Sequence, residues 1–114
     1  GDELPVWSGN ADLTVPLLSL GAKGVISVLS NVRPKRTLQM VRACQAGDYA
    51  AAGRMQVALT PLIDALFSEI NPIPVKQALS LMGIPAGLPR LPLTPLSATH
   101  LPALEQALSA APDP

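Results

Sequence analysis

Aromatic and charged residues are scarce in this chain of 114 residues. It has one tryptophan, one tyrosine and one phenylalanine, so the predicted core is aliphatic and rich in alanine. Charged residues make up 14% of the sequence, with eight acidic against eight basic side chains. Proteins that bind nucleic acid usually carry a basic excess and aromatic residues that stack on bases. The composition therefore argues against nucleic acid as a partner.

Cysteine and long apolar runs are also scarce. Cys44 is the only cysteine, which excludes an intrachain disulfide and favours an inert packing thiol within a predicted helix. The apolar stretch at 15–32 is interrupted by Lys23, serines and glycines, so it is too broken to span a membrane. The acidic opening residues are not followed by the apolar core of a secretory signal. We therefore expect a soluble, cytoplasmic protein without a membrane partner.

Two short apolar segments are typical of buried parallel strands. Residues 24–28 form a β-branched run without polar alternation, and residues 4–8 have a similar pattern. Residues 12–20 are long enough for a crossover helix, with Asp12 as its N-cap and Gly21 as its stop. Two parallel strands need a larger sheet around them. The sequence therefore predicts an α/β fold in which this chain forms part of a larger sheet.

The rest of the chain shows helical periodicity. A helix is predicted from Pro34 to Gly47, and the basic segment 33–36 at its start is expected to be solvated. A longer helix is predicted from about 49 to 68, and Pro61 should kink this helix without ending it. Asp48 is its predicted N-cap.

Prolines and a glycine set the predicted boundaries further along. Residues 71–74 are expected to form a rigid extended link, because each proline disfavours helical geometry in the residue before it. The next helix should start at Pro74 and end at Gly83. Residues 84–95 are predicted to be an extended loop, and a last helix should begin near Ser97 or Thr99.

Ligands in parallel α/β sheets bind at the carboxyl ends of the strands. Gly9 follows the first predicted strand, and it either lets a ligand approach the backbone or makes a tight turn. Asn10 and Asn31 either bind a carboxylate or cap turns. No lysine lies at such a strand end, because Lys23 precedes its strand and the others open helices. The residues alone therefore offer no nucleophile.

No metal site is predicted. His100 has no histidine, cysteine or carboxylate at metal-ligand spacing, which favours a surface or helix-start histidine. Asp48 and Asp64 lie too far apart along one helix to act as a carboxylate pair.

Several motifs occur in one order along nearly the whole chain. They are Ser8-Gly9-Asn10, the run from Leu20 to Val28, Asn31-Val32, Ala46-Gly47-Asp48, Leu66-Phe67, Asn71-Pro72-Ile73-Pro74-Val75-Lys76 and Leu91-Pro92-Leu93-Thr94-Pro95. Together they resemble the C-terminal part of the 4-hydroxy-tetrahydrodipicolinate synthase family, also called dihydrodipicolinate synthases. The motifs at 71–76 and 91–95 favour these synthases over the related sialic-acid lyases and sugar-acid aldolases.

This resemblance implies a (β/α)8 TIM barrel with a C-terminal extension of three helices. Residues 1–47 would be the last two β/α units, and residues 48–114 would be the extension. In the family, a lysine on an earlier strand forms a Schiff base with pyruvate, which then condenses with aspartate semialdehyde in lysine and diaminopimelate biosynthesis. That lysine lies upstream of Gly1, so the resemblance implies no catalytic residue, metal or cofactor in this chain, which should be inactive alone.

Three residues of this chain match family positions of known role. Gly9 resembles the glycine beside the pyruvyl group, and Ile26 resembles the residue whose backbone carbonyl faces the site. Leu20 resembles a position at the contact between dimers. The family often has two acidic residues where Asn10 and Ala11 stand here, so these two receive no role. The implied partners are the upstream barrel, pyruvate, aspartate semialdehyde and further copies in a dimer or tetramer.

Two alternatives remain open from the sequence. The chain could be an independent helical interaction module whose first residues are not strands, in which case residues 24–28 would lack extended geometry. It could instead belong to a sialic-acid-lyase-like or sugar-acid aldolase with the same barrel. The residues that grip the second substrate would decide between the enzymes, and they lie upstream.

Overall fold

A computed structural model describes residues 3–114. Within that range it has two strands and five α-helices: β1 Trp7–Ser8, α1 Thr14–Ser19, β2 Gly24–Val25, α2 Pro34–Gln45, α3 Tyr49–Leu66, α4 Ile73–Leu81 and α5 Leu101–Ala110. Single 3₁₀ turns at Ala11–Leu13 and Leu29–Asn31 follow the two strands. Among the described residues, no helix combines the length and the hydropathy required to cross a bilayer.

The predicted β–α–β unit is present. β1 and β2 are parallel, with Trp7 opposite Gly24 and Ser8 opposite Val25, and α1 lies in the connection between them. The Trp7 ring covers Gly24 so closely that a Cβ atom built there would lie 2.5 Å from the ring. Glycine at position 24 therefore makes room for the tryptophan of the neighbouring strand.

Both strands are shorter than the predicted segments 4–8 and 24–28. The last bond of the ladder runs from the Ile26 N–H to the Ser8 carbonyl at 2.8 Å. Val28 already has helical angles, φ −68° and ψ −40°, because the chain turns there into a 3₁₀ turn. Within the described range each strand pairs only with the other, and no further strand supports a longer ladder.

The prediction that both strands are buried is wrong for much of their surface. Ser8 and Gly24 are buried, but Trp7 is 56% exposed and Ile26 is 74% exposed. Parallel sheets are normally covered on both faces and flanked by further strands. Among residues 3–114 no third strand pairs with either edge, so these apolar side chains remain at the surface.

The crossover between the strands differs from the single predicted helix at 12–20. A 3₁₀ turn precedes α1, and Asp12 lies within that turn instead of capping the helix. The Thr14 hydroxyl donates to the Ala11 carbonyl at 2.9 Å, which stabilises the junction of turn and helix. Gly21 has φ +102°, a conformation that glycine adopts without strain, and it ends the crossover as predicted.

The two middle helices match the sequence signals. α2 begins at Pro34, as predicted. The Asp48 carboxylate accepts a hydrogen bond from the Ala51 N–H at 3.0 Å, so the predicted N-cap of α3 is confirmed. α3 continues through Pro61 to Leu66, as its apolar period indicated.

The extended link predicted at 71–74 is wrong. Pro72 has φ −102° and ψ 25°, and α4 already begins at Ile73. Pro74 lies in the first turn, where a missing N–H costs no intrahelical hydrogen bond and the fixed φ suits a helix. α4 ends one residue before Met82, and Gly83 follows with φ +80°.

The last helix begins at Leu101, later than the predicted Ser97 or Thr99. The Ser97 N–H and hydroxyl both donate to the Glu69 carboxylate, each at 3.0 Å. This contact with another segment holds Ser97 outside the helix, and His100 becomes the N-cap residue.

The core is aliphatic, as the composition predicted. α3 lies at its centre and packs against α1, α2, α4 and α5. The core joins both halves of the chain, and its largest fully buried side chains include Leu29, Met40, Leu59, Leu62, Leu66 and Leu104.

The prediction that Arg33 is solvated is wrong, because this side chain is only 7% exposed. Its guanidinium donates to the carbonyls of Leu108 at 2.8 Å, Val32 at 2.7 Å and Ala111. The last carbonyls of a helix lack partners within the helix and attract a positive charge. Arg33 therefore caps the C-terminal end of α5 from a position 75 and 78 residues earlier in the sequence.

The C-terminal residues make a second contact of the same kind. The Asp113 carboxylate accepts hydrogen bonds from the backbone N–H groups of Lys35 and Arg36, both at 3.0 Å. These N–H groups lie in the first turn of α2, where the helix favours a negative charge. The end of the chain thus caps the start of α2.

Replacing Arg33 should destabilise the protein. Arg33→Ala removes three charge-assisted or backbone-directed hydrogen bonds and leaves carbonyls in a buried region without a donor, so we expect the free energy of unfolding to fall by roughly 2–4 kcal/mol. Urea denaturation followed by circular dichroism measures this change. Arg54→Ala, at an exposed position on α3, is the control and should shift the midpoint little. Equal midpoints for the two variants would contradict the role of Arg33.

Candidate functional site

The carboxyl ends of β1 and β2 lie side by side. Continuing the register by one residue from the Ser8–Val25 pair sets Gly9 opposite Ile26. Gly9 and Ile26, which the family resemblance places beside a ligand, are therefore neighbours at one edge of the sheet.

Ser8 closes a small turn around Gly9. Its hydroxyl donates to the Asn10 carbonyl at 2.8 Å and accepts from the Asn10 N–H at 3.2 Å. Gly9 is not among the glycines with positive φ, so the turn itself does not require glycine. A Cβ atom added at Gly9 would meet no atom of the described chain within 4 Å. The space beside this backbone is therefore open.

The Ile26 carbonyl faces no donor of the described chain. In a longer parallel ladder the Asn10 N–H would donate to this oxygen, but here it donates to the Ser8 hydroxyl. No donor within residues 3–114 forms a hydrogen bond with the Ile26 carbonyl. The Ile26 carbonyl is therefore a backbone acceptor directly opposite Gly9 that can still accept a hydrogen bond.

A cleft of about 230 Å³ opens next to this edge. Its walls are Asn10 and Asp12 from the loop after β1, and Ile63, Asp64 and Phe67 from the end of α3. The helical periodicity of the sequence gave no sign that this end of α3, which carries Ile63 and Phe67, reaches the strand ends. That contribution of α3 to the site was missed.

Leu20 lies at the C-terminal end of α1, away from the core. It is 82% exposed, so nothing in the described chain covers its side chain. Its assignment to a contact between subunits stays a prediction.

No lysine in residues 3–114 lies at the carboxyl ends of the strands. Lys23 immediately precedes β2, at the opposite end of the sheet. The Lys35 ammonium donates to the Pro114 carbonyl at 2.9 Å, and the Lys76 ammonium donates to the Ala86 carbonyl at 2.7 Å. Lys35 therefore contacts the C-terminal residue, and Lys76 contacts the loop that follows α4.

Among the described residues, no three histidine, cysteine or carboxylate side chains are grouped so that they could hold one metal ion. Cys44 is buried, and burial raises the pKa of its thiol, which keeps it protonated and unreactive at neutral pH.

Ser97, His100 and Glu69 form a cluster that superficially resembles a hydrolytic triad. His100 Nδ1 lies 2.7 Å from Glu69 Oε2 and 3.2 Å from Ser97 Oγ. In a triad, the carboxylate and the nucleophile contact opposite ring nitrogens, so that the ring can carry a proton between them. Here both contact Nδ1. The cluster therefore fastens the start of α5 to the segment after α3 and cannot relay a proton to Ser97.

The charge of Glu69 strengthens this cluster. The hydrogen bond from His100, followed by the Ser97 backbone N–H, lowers the pKa of the Glu69 carboxyl below its usual value. A lowered pKa in the folded protein means that the stabilising contribution is present above the ordinary carboxyl pKa. It is lost as the pH falls through the lowered value.

Acidification should therefore release Ser97. We expect hydrogen exchange, measured by NMR as protection factors, to show the Ser97 N–H losing protection only once the pH has fallen below the ordinary range of a carboxyl group, because the pKa of Glu69 is lowered. Glu69→Gln should reduce protection already at pH 7 and remove most of its pH dependence. Glu105→Gln, at an exposed position on α5, serves as the control. Unchanged protection at Ser97 in the Glu69 variant at pH 7 would contradict this assignment.

A parallel β–α–β unit whose strands pair only with each other within residues 3–114, with its candidate site at the strand ends and helices packed around it, defines this chain as part of a parallel α/β protein. The model of the Dihydrodipicolinate synthetase family matches residues 1–111. The chain belongs to that family, as its motifs predicted.

Relatives of this chain carry a consistent description. The 4-hydroxy-tetrahydrodipicolinate synthase of Methanocaldococcus jannaschii is 48% identical over 106 residues, which are 93% of this chain and 37% of that protein. The chain therefore spans a little over a third of the length of the curated relatives that it matches.

Solved structures agree closely with the fold. A structure described as the first monomeric dihydrodipicolinate synthase variant is 44% identical, with a TM-score of 0.89 over 96% of this chain and 36% of that one. A chloride-inhibited dihydrodipicolinate synthase from Acinetobacter baumannii, complexed with pyruvate, is 39% identical, with a TM-score of 0.89 over 95% of this chain and 37% of that one. The chain thus has the fold of a partial (β/α)8 barrel followed by helices, and the alternative of an independent helical interaction module without strands is not favoured.

Proposed function

We propose that this chain supplies the C-terminal part of a 4-hydroxy-tetrahydrodipicolinate synthase. That enzyme condenses pyruvate, held as a lysine Schiff base, with aspartate semialdehyde in lysine and diaminopimelate biosynthesis. Residues 1–47 would form the last two β/α units of the barrel, and residues 48–114 the helical extension. The observation that carries the proposal is 48% identity to a synthase over 93% of this chain, with only 37% of that protein covered.

Gly9 and the Ile26 carbonyl would form the pyruvate side of the site. The open space beside Gly9 allows a small ligand to lie against the backbone, where any side chain would intrude. A carbonyl oxygen only accepts hydrogen bonds, so Ile26 would orient a protonated nitrogen or a hydroxyl group and would disfavour a carboxylate at the same point. Gly9 and the Ile26 carbonyl would thus orient the pyruvyl group within the site.

The reactive amine would come from the upstream barrel. None of the lysines in residues 3–114 lies at the site edge, whereas Schiff-base chemistry requires an amine beside the substrate carbonyl. The upstream barrel would also cover the exposed side chains of Trp7 and Ile26 and pair with the open strand edges. Part of the surface available to it is an apolar groove of about 280 Å³ between β2 and α2, lined in part by Val25, Leu38 and Val41.

The assembled enzyme would act in the cytoplasm as a homodimer or homotetramer. Leu20 would contribute to the contact between dimers, since its side chain is exposed on the end of α1. One close structural neighbour is described as monomeric, so such a contact is not a condition of the fold.

A trapping experiment tests the proposal. Pyruvate and borohydride should leave the mass of this chain unchanged, because it lacks the amine at the site edge. A hybrid synthase, in which this chain replaces the matching C-terminal part of the Methanocaldococcus jannaschii relative, should gain one reduced pyruvyl group and catalyse condensation. A pyruvyl adduct on the chain alone, or a folded hybrid that neither traps pyruvate nor condenses it, would overturn the proposal.

Gly9 can be tested in the same hybrid synthase. Gly9→Ala places a methyl group in the space proposed for pyruvate, so we expect kcat/KM for pyruvate to fall about tenfold to a hundredfold. Gly53→Ala, which also adds a methyl group into open space but lies on α3, is the matched control. Steady-state kinetics with pyruvate as the varied substrate measures both. Equal kcat/KM values in the two variants would remove Gly9 from the site.

A further inference from the structure

We infer that Gln56 is a positioning residue for the pyruvate side of the site, an inference that rests on the proposed function. Gln56 lies on α3 and is partly buried. Its Nε2 donates to the Ala11 carbonyl at 3.0 Å, and its Oε1 accepts from the Val15 N–H at 3.1 Å. Both ends of the amide are thus bonded to backbone more than 40 residues earlier.

The two backbone groups bonded by Gln56 belong to the segment that follows Gly9. Val15 is in the first turn of α1, where N–H groups have no partner within the helix. The residue at the N-cap of α1 is Leu13, which provides no side-chain cap. Gln56 therefore caps the start of α1 from its position on α3, a role that a serine or aspartate at the N-cap ordinarily has.

Gly9 is held between two sets of hydrogen bonds. On one side Ser8 bonds to the Asn10 N–H and carbonyl. On the other side the Ala11 carbonyl is bonded by Gln56 and, locally, by the Thr14 hydroxyl. Glycine has the greatest backbone freedom of any residue, so its orientation depends on its neighbours. The hydrogen bond from Gln56 on α3 fixes the position of this loop relative to the rest of the fold.

The chemistry of this contact requires an amide. One atom must donate to a carbonyl while the other accepts from an N–H, and glutamine provides both at the ends of one side chain. A glutamate of the same length accepts but, when ionised, cannot donate. Its second oxygen would face the Ala11 carbonyl, which raises the pKa of such a carboxyl and favours its protonated form. Protonation would restore the missing donor.

The kinetic test uses the hybrid synthase with Gln56→Glu and Gln56→Leu. We expect both to raise KM for pyruvate about tenfold, with KM for aspartate semialdehyde unchanged, because the loop carries Gly9, which the proposed function assigns to the pyruvate side. KM for pyruvate in Gln56→Glu should recover as the pH is lowered, relative to the unchanged hybrid at each pH, and Gln56→Leu should not respond. A merely structural loss would lower the fraction of enzyme that borohydride traps without producing this pH profile.

Arg54→Leu, two positions away on α3 and exposed, is the control. The inference is overturned if the hybrid is active and both Gln56 variants keep the pyruvate KM of this control. An inactive hybrid would count against the proposed function instead.

A second measurement tests positioning independently of activity. In this chain, Gln56→Leu should raise hydrogen exchange at the Val15 N–H about fivefold, as expected for the loss of a helix cap, and shift the amide resonances of Gly9 and Asn10. Gln56→Glu at low pH should retain the native resonances. If the Gly9 and Asn10 resonances stay where they are in Gln56→Leu, the inference fails whether or not the hybrid is active.

Discussion

A buried guanidinium joins the two ends of this fold. Arg33 lies between the sheet and α2, and its hydrogen bonds to Leu108 and Ala111 hold the end of α5 against that junction. Asp113 then caps α2 in return. Positive charge meets a helix C-terminus and negative charge meets a helix N-terminus, so both contacts oppose the partial charges of the helix ends. The last helix is thereby fixed to the β–α–β unit.

α3 connects the packing of the core to the candidate site. Its buried leucines, including Leu59 and Leu62, pack in a core to which α2, α4 and α5 also contribute. Ile63 and Phe67 from the same helix line the cleft at the strand ends, and Gln56 bonds to the loop after β1. The helices that follow the barrel units therefore help to shape the strand-end loop, in addition to covering the outside of the fold.

Local signals explain what the sequence could predict. Pro34, Asp48 and Gly21 act within one turn of their own positions, and each marks the boundary expected of it. Arg33 and Glu69 were missed because their partners lie 28 or more residues away, and no periodicity reports such a distance. The parallel pairing of the two strands was predicted correctly, whereas their lengths were not, because within residues 3–114 each strand has only the other as a partner.

Gln56 shows what a closer inspection of the sequence could have found. It stands four residues after Ala52 and three before Leu59, both fully buried, so its side chain points toward the same interior face of α3. A polar residue on an otherwise apolar stripe needs a hydrogen-bond partner, because burying an unpaired amide is costly. Such a position marks a contact with backbone from another segment. In this chain the segment begins two residues after Gly9, which connects the packing of the helices to the chemistry of the strand ends.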